Sequence, residues 1–339
     1  MFTGVTVTDA SGNGIFVRNS SATAPGNAAN ADSLSIIDSV IARSAVNGVL
    51  VENTIGGTGN LALTITGSTF DDNASSGIAT NANAGILQAT IGGSGAGLAN
   101  DIGVASGTQN NGVSGGATTT GRLVLDVIGN TITTNDDGLG AGGVGVASFD
   151  NAQITVTIQS NTLTSLTPAV GSPGGTAVGG ISVINEGSGS NTVLIDNNTI
   201  TIVDGFGIIA NAQGGGAGDI DFTITNNDIS VTGADIVNTS ISVENTGSGG
   251  QSLCLNITGN TLATAPGSNA DVVLNNTNAG NVFQVQGLAA TDSTSPDLSP
   301  NSQPVEILIN GNQTSSPGGT IVNPVESVGS FTVGTCSTP

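Results

Sequence analysis

An asparagine or serine flanked by aliphatic residues at fixed offsets recurs along the whole chain, and this constrains the fold more than any other feature. Asn130, Asn161, Asn198, Asn227 and Asn260 hold the marker position, and Ser39 and Ser68 hold it earlier. The steps are 29 (39 to 68), 62 (68 to 130), 31 (130 to 161), 37 (161 to 198), 29 (198 to 227) and 33 (227 to 260). The step of 62 contains a degenerate unit centred near Ser94. Three residues before the marker stand Ile36, Ile65, Val127, Ile158, Ile195, Ile224 and Ile257; two after it stand Ile41, Phe70, Ile132, Leu163, Ile200, Ile229 and Leu262. A further aliphatic or Phe column lies five residues before it, with Leu63, Leu125 and Phe222 among its members.

Within a unit the pattern is that of strands. In Asn191–Asn211, Val193 and Ile195 alternate with polar neighbours, Ile200 and Ile202 follow Asn197-Asn198, and Ile208 follows Asp204-Gly205. Alternation at period two marks half-buried extended chain. Asn, Asp and Gly tolerate the left-handed backbone of a sharp corner. A second consensus, glycine then aliphatic, supplies the third run: Gly48-Val49, Gly77-Ile78, Gly143-Val144, Gly180-Ile181 and Gly207-Ile208, with Ser240-Ile241 and Asp271-Val272 as variants. Three strands and two bends cannot bury their own apolar side, so each unit must stack on copies of itself.

Aliphatic-x-aliphatic-x-x-Asn-x-aliphatic, a variable corner, then Gly-aliphatic resembles the repeat of right-handed parallel β-helix proteins of the pectate-lyase-like class, over about residues 2 to 288. That class includes polysaccharide lyases and hydrolases, phage tailspikes, adhesins and bacterial surface proteins. The resemblance implies an all-β solenoid of three-strand coils, and an asparagine ladder formed by Asn130, Asn161, Asn198, Asn227 and Asn260. Ser39 and Ser68 depart from it and imply a weaker ladder near the N-terminus. About ten coils rising by the inter-strand spacing make a rod about 50 Å long. The expected organisation is residues 1–290 as β-helix repeats and 291–339 as linker, last strand and capping tail.

Composition is consistent with a narrow aliphatic interior. Aromatic residues are 2% of the chain, and Trp and Tyr are absent. In an ordinary globular chain this would indicate disorder, but the periodic Ile, Val and Leu columns argue otherwise. Twenty-four acids face Arg18, Arg43 and Arg122, with no His and no Lys, for a net charge of -21. Nucleic acid needs a basic footprint, so it is excluded as a partner, and anionic membrane surfaces are disfavoured. No run of 18 apolar residues exists to span a membrane. Residues 1–10 carry no signal-peptide pattern, and Val7 and Gly14-Ile15 already fit the repeat. The chain is therefore read as a piece of a longer protein that begins inside a coil.

Polar insertions at 19–33, 92–121, 166–179 and 211–219 read as loops at coil corners. Val305–Asn312, VEILINGN, reads as another first strand with its marker at Asn312. The last residues are placed over the open end of the solenoid, as such folds require. Cys254 lies between inward Leu253 and Leu255, so it should point outward, and Cys336 lies in the tail. A Cys254–Cys336 disulfide, fitting an oxidising compartment, is preferred over two free thiols. SLCLNITGN followed by a terminal FTVGTC is also similar to the closing segment of some large secreted bacterial β-helix proteins.

The acids are the candidates for chemistry. Asp71, Asp72, Asp136, Asp137 and Asp204 each follow a second strand and form a potential row along one corner. Such a row reads as solvated turn acids, as a carboxylate pair for glycoside hydrolysis, or as calcium ligands, with Asp136, Asp137, Asp219 and Asp221 the calcium candidates. The histidine and Arg-x-Lys motifs of polygalacturonases and the basic residues of polysaccharide lyases cannot exist here, so solvated turns are preferred and no cofactor other than calcium is in view. GGGAGD at 214–219 departs from the calcium-binding nonapeptide and occurs once. Thr64/Thr66 and Thr223/Thr225 resemble ice-binding solenoid faces, but Asp126/Ile128, Leu194/Asp196 and Asn256/Thr258 break that array.

The expectation is a non-catalytic structural or adhesive segment of a secreted or surface-exposed bacterial protein, extracellular, with glycans or a host or neighbouring cell surface as partners. The alternative is a polysaccharide-active enzyme or glycan-binding module.

Overall fold

The computed structural model describes residues 1–20, 32–54, 59–103, 111–134, 142–166, 178–203, 205–233, 238–264, 271–278, 280–289, 304–315, 322–325 and 331–339. They form an all-β, right-handed parallel β-solenoid with three sheets. The sheets hold eleven, ten and ten strands, every pairing is parallel, and each strand pairs with the strands three strands before and after it, those at the sheet edges with one. Coils therefore stack directly, and the chain visits the first, second and third sheets in turn.

First-sheet strands fall where the repeat puts them: Asp32–Ile37, Asn60–Thr66, Arg122–Ile128, Gln153–Gln159, Asn191–Asp196, Asp219–Thr225 and Ser252–Thr258. The column three residues before the marker is a buried file, with Ile65, Val127, Ile158, Ile195 and Ile224 all 0% exposed. Thr155↔Thr192, Val156↔Val193 and Ile158↔Ile195 show the register. Because side chains alternate across the sheet, one such register places every aliphatic column inside. Four phenylalanines, Phe70, Phe222, Phe283 and Phe331, are the largest fully buried side chains. Phe283 and Phe331 meet edge to face at 4.9 Å near the C-terminal end.

The corner between the first and second sheets is a left-handed residue followed by the marker. Asp38, Ser160, Asn197 and Asn226 have φ between 49° and 58°, and Gly67, Gly129 and Gly259 take the same place with φ of 60° to 70°. At that corner the marker side chains bond from coil to coil. The amide N of Asn130 and its Nδ2 both donate to Asn161 Oδ1, at 2.9 and 3.0 Å. Asn161 does the same to Asn198, Asn198 to Asn227, and Asn227 to Asn260. Each Nδ2 also donates to a carbonyl of the preceding coil, as Asn161 does to Val127. Ser39 and Ser68 take part through their hydroxyls: the Ser39 N–H donates to Ser68 Oγ.

Three expectations need correction. The degenerate coil has its marker at Asn100, which joins Ser68 to Asn130; Ser94 lies between the strand Ile86–Gly92 and the strand Asp101–Gly103. Its inward residues Ala89 and Ile91 do stand five and three residues before Ser94, but the extra residues of the corner carry the ladder position onward. Second, 305–312 is not a strand: Pro304–Gly311 is an α-helix. Val305 and Ile309 are buried and Leu308 packs on the core, whereas Ile307 is 58% exposed. Positions i, i+3 and i+4 thus share one face, a helical period, while the first sheet at this end is already filled by Val282–Gln286 and Phe331–Gly334. Third, the last marker is Gln313 and not Asn312. Its Oε1 accepts from Asn260 N and Nδ2 at 3.1 and 2.9 Å.

The tail is tied down covalently. Cys254 and Cys336 form a disulfide with a Cα separation of 5.4 Å. Cys254 points outward from its strand, as its inward neighbours Leu253 and Leu255 require, yet it is buried. The strand Phe331–Gly334 leads the chain to it, and Cys336 N donates to Gln286 Oε1.

Candidate functional site

The outer face of the third sheet carries the most site-like chemistry. On the strand Thr239–Asn245, Ile241 and Val243 point inward, which places Ser242 and Glu244 outside. Ser242 is nonetheless fully buried, and so is its row neighbour Ile209, while Asn211 is 6% exposed. Glu244 is half-buried among these covered neighbours. Burial pushes its carboxyl above the usual range, and the hydrogen bond from Ser242 opposes that rise.

Four polar neighbours extend from it as a chain. Ser242 Oγ donates to Glu244 Oε1 at 3.1 Å, and Asn211 Nδ2 donates to Oε2 at 3.4 Å. Asn211 also donates to Gln213 Oε1 at 3.2 Å, and Gln213 Nε2 donates to Glu186 Oε1 at 3.1 Å. Glu186 is exposed. A half-buried carboxyl, whose proton affinity burial raises, is thus linked through two amides to the exposed Glu186 side chain. Such a pair can offer and accept hydrogen bonds along a polar ligand, and unequal carboxyls are the raw material of acid–base work.

The corner acids are arranged differently. Asp71 ends the strand Thr69–Asp71 on the outer face of the second sheet, and Asp72 is at the following bend with φ 53°. Burial, then Asp72 and Asp101, raise the Asp71 carboxyl, with Arg43 acting against them. Asp136, Asp137 and Asp204 lie outside the described residues, so the row they would complete is not described. Asp219 and Asp221 are two apart on one strand of the first sheet, hence about 7 Å apart along it. Among the described residues, the one trio of potential metal-ligand atoms within 4.8 Å of one another is Asp221, Cys254 and Cys336. The disulfide consumes both sulfurs.

A regular threonine array does exist, on the second sheet and not the first. Thr131/Thr133, Thr162/Thr164 and Thr199/Thr201 are paired in register on three adjacent strands. Asp101/Gly103 and Asp228/Ser230 bound it on either side. It forms an uncharged patch of hydroxyls and methyls.

No family model, curated protein or solved structure matches the chain. Among the described residues no helix is long and apolar enough to cross a membrane. Sequence reasoning missed Glu244 and Glu186 because it weighed acids at corners. The available signal was positional: Glu244 sits between Val243 and Asn245 in the third run of its coil, where an outward acid falls on a sheet face.

Proposed function

We propose that this chain is a rigid, non-catalytic β-helix segment of a secreted or surface-exposed bacterial protein, acting as a stalk or adhesive surface. The observation that carries the reading is the unbroken ladder from Ser39 through Asn260 to Gln313. A continuous buried network of this kind resists bending and shear, because every coil is held to both neighbours at one corner. The disulfide fits an oxidising compartment, and the threonine patch of the second sheet offers a flat contact area for a neighbouring surface.

A second reading, a glycan-active or glycan-binding module, draws support from the Glu244–Glu186 pair. Against catalysis, Arg18 and Arg43 are engaged with Glu52 and Asp9, and the chain has no histidine or lysine to stabilise developing charge. The test is incubation of the purified protein, with calcium present, against neutral and acidic polysaccharides. No new reducing ends or unsaturated products are expected. Products abolished by Glu244→Gln, Asp71→Asn or Asp136→Asn would replace the structural reading with the enzymatic one.

A further inference from the structure

We propose that the outer face of the first sheet holds a binding site for an acylated α-amino carboxylate, such as a peptide C-terminus ending in a small aliphatic residue. The site is a groove of about 310 Å³ across three neighbouring strands. Two rows of outward side chains line it in register: Asn60, Ile86 and Arg122, then Ala62, Gln88 and Val124. Adjacent rows are about 7 Å apart and adjacent strands about 4.8 Å, dimensions that suit one or two amino-acid residues.

Arg122 sets the charge of the ligand. Among the three arginines, Arg43 grips Asp9 and Arg18 grips Glu52. Arg122 has no carboxylate partner among the described residues and opens into the groove. A planar guanidinium with free donors matches a carboxylate through two parallel hydrogen bonds. The ligand brings the anion that the described residues do not supply.

Asn60 sets the neighbouring group. Its side chain lines the groove and its Oδ1 has no hydrogen-bond donor among the described residues, so the acceptor it can turn to a ligand calls for an N–H. Gln88 is exposed beside it and can donate or accept. Ile86, Val124 and Ala62 are half-buried and provide an apolar floor. With no Trp or Tyr in the chain, that floor suits a methyl or isopropyl group better than a ring. Carboxylate, adjacent N–H and short aliphatic side chain together describe the end of a peptide.

The net charge of -21 repels any anion at long range, and about 0.15 M salt confines that repulsion to about 8 Å. Binding in the millimolar range is the expectation. The experiment is an NMR titration of the full chain at that salt with N-acetyl-glycyl-valine, with its C-terminal amide and with acetate alone. The acid should shift Arg122 and Gln88 side-chain signals, and the amide should not. Arg122→Gln should weaken binding about tenfold or more, Arg122→Lys less, with unchanged melting because Arg122 is exposed. Equal binding of acid and amide, wild-type affinity in Arg122→Gln, or full reproduction of the shifts by acetate alone would each overturn the proposal.

Discussion

Asn260 donates from both of its nitrogens to Gln313 Oε1, so a residue one methylene longer than the asparagine rungs ends the ladder. Gln313 Nε2 in turn donates to Ile257 O at 3.2 Å, reproducing the bond that each asparagine makes to the coil before it. The extra reach matters because the chain arrives here from the helix Pro304–Gly311 and not from a first-sheet strand. Gln313→Asn is expected to shorten that reach, lower stability by about 1 kcal/mol and speed hydrogen exchange at the Asn260 amide. Exchange at Asn130 should stay unchanged, a contrast that separates local fraying from global loss.

An interior rung costs more. Asn161→Ala leaves the amide and Nδ2 of Asn130 without their acceptor and removes the bond to Val127 O. Urea denaturation should show a loss of about 3 kcal/mol. Asn161→Ser should lose roughly half as much by the same accounting, since Ser39 and Ser68 already work with a hydroxyl.

The disulfide encloses a sequence separation of 82, for which chain entropy sets a contribution of up to about 4.5 kcal/mol. Reduction, or the Cys254→Ser/Cys336→Ser pair, should release Phe331–Gly334 first. Limited proteolysis by a protease that cuts at aliphatic residues should then trim the C-terminus while the coils from Asp32 to Thr225 persist. Simultaneous digestion of those coils would show that the staple holds more than the tail.

Stability should peak on the acid side of neutrality. Glu244, Asp126 and Asp71 have raised carboxyls, in each case with burial as the largest cause. Groups raised in the folded state stabilise fully below their unfolded values of 4.5, 3.8 and 3.8, and that benefit is lost as pH rises through their folded values. Asp196 behaves oppositely. Burial pulls its carboxyl upward, but hydrogen bonds from Thr225, Asn226 and Gln159 outweigh it and the net shift is downward. Its contribution is present above 3.8 and lost as pH falls through the lower folded value. Melting temperature should therefore rise from neutral pH to about pH 4–5 and fall below it. Glu244→Gln should flatten the rise, and Asp196→Asn the fall.

Much of the fold was legible because a solenoid repeats its constraints. Ile65, Val127 and Ile195 share one environment, so three aliphatic columns and a corner asparagine specify strand direction, register and core together. The coil around Asn100 was not legible, since residues 93–99 separate Ile91 from its marker and the sequence offset no longer applies. Val305, Ile307 and Ile309 satisfied a strand pattern on paper, and only the occupied first sheet forces the helical choice. The candidate site was less legible still. Glu244 meets Asn211 from 33 residues away, and Glu186 meets Gln213 across 27, distances at which no short motif forms.

The ladder also separates the length of the rod from the length of the chain. Successive rungs are 29, 37 and, at the last step, 53 residues apart, yet the same pair of bonds to one oxygen closes each time. Each rung registers where a coil re-enters the second sheet and is blind to the route taken since the previous one. Such a molecule is a ruler whose marks are evenly spaced in ångströms and unevenly spaced in residues. Sequence can be spliced into a corner, a whole binding loop included, without moving any mark.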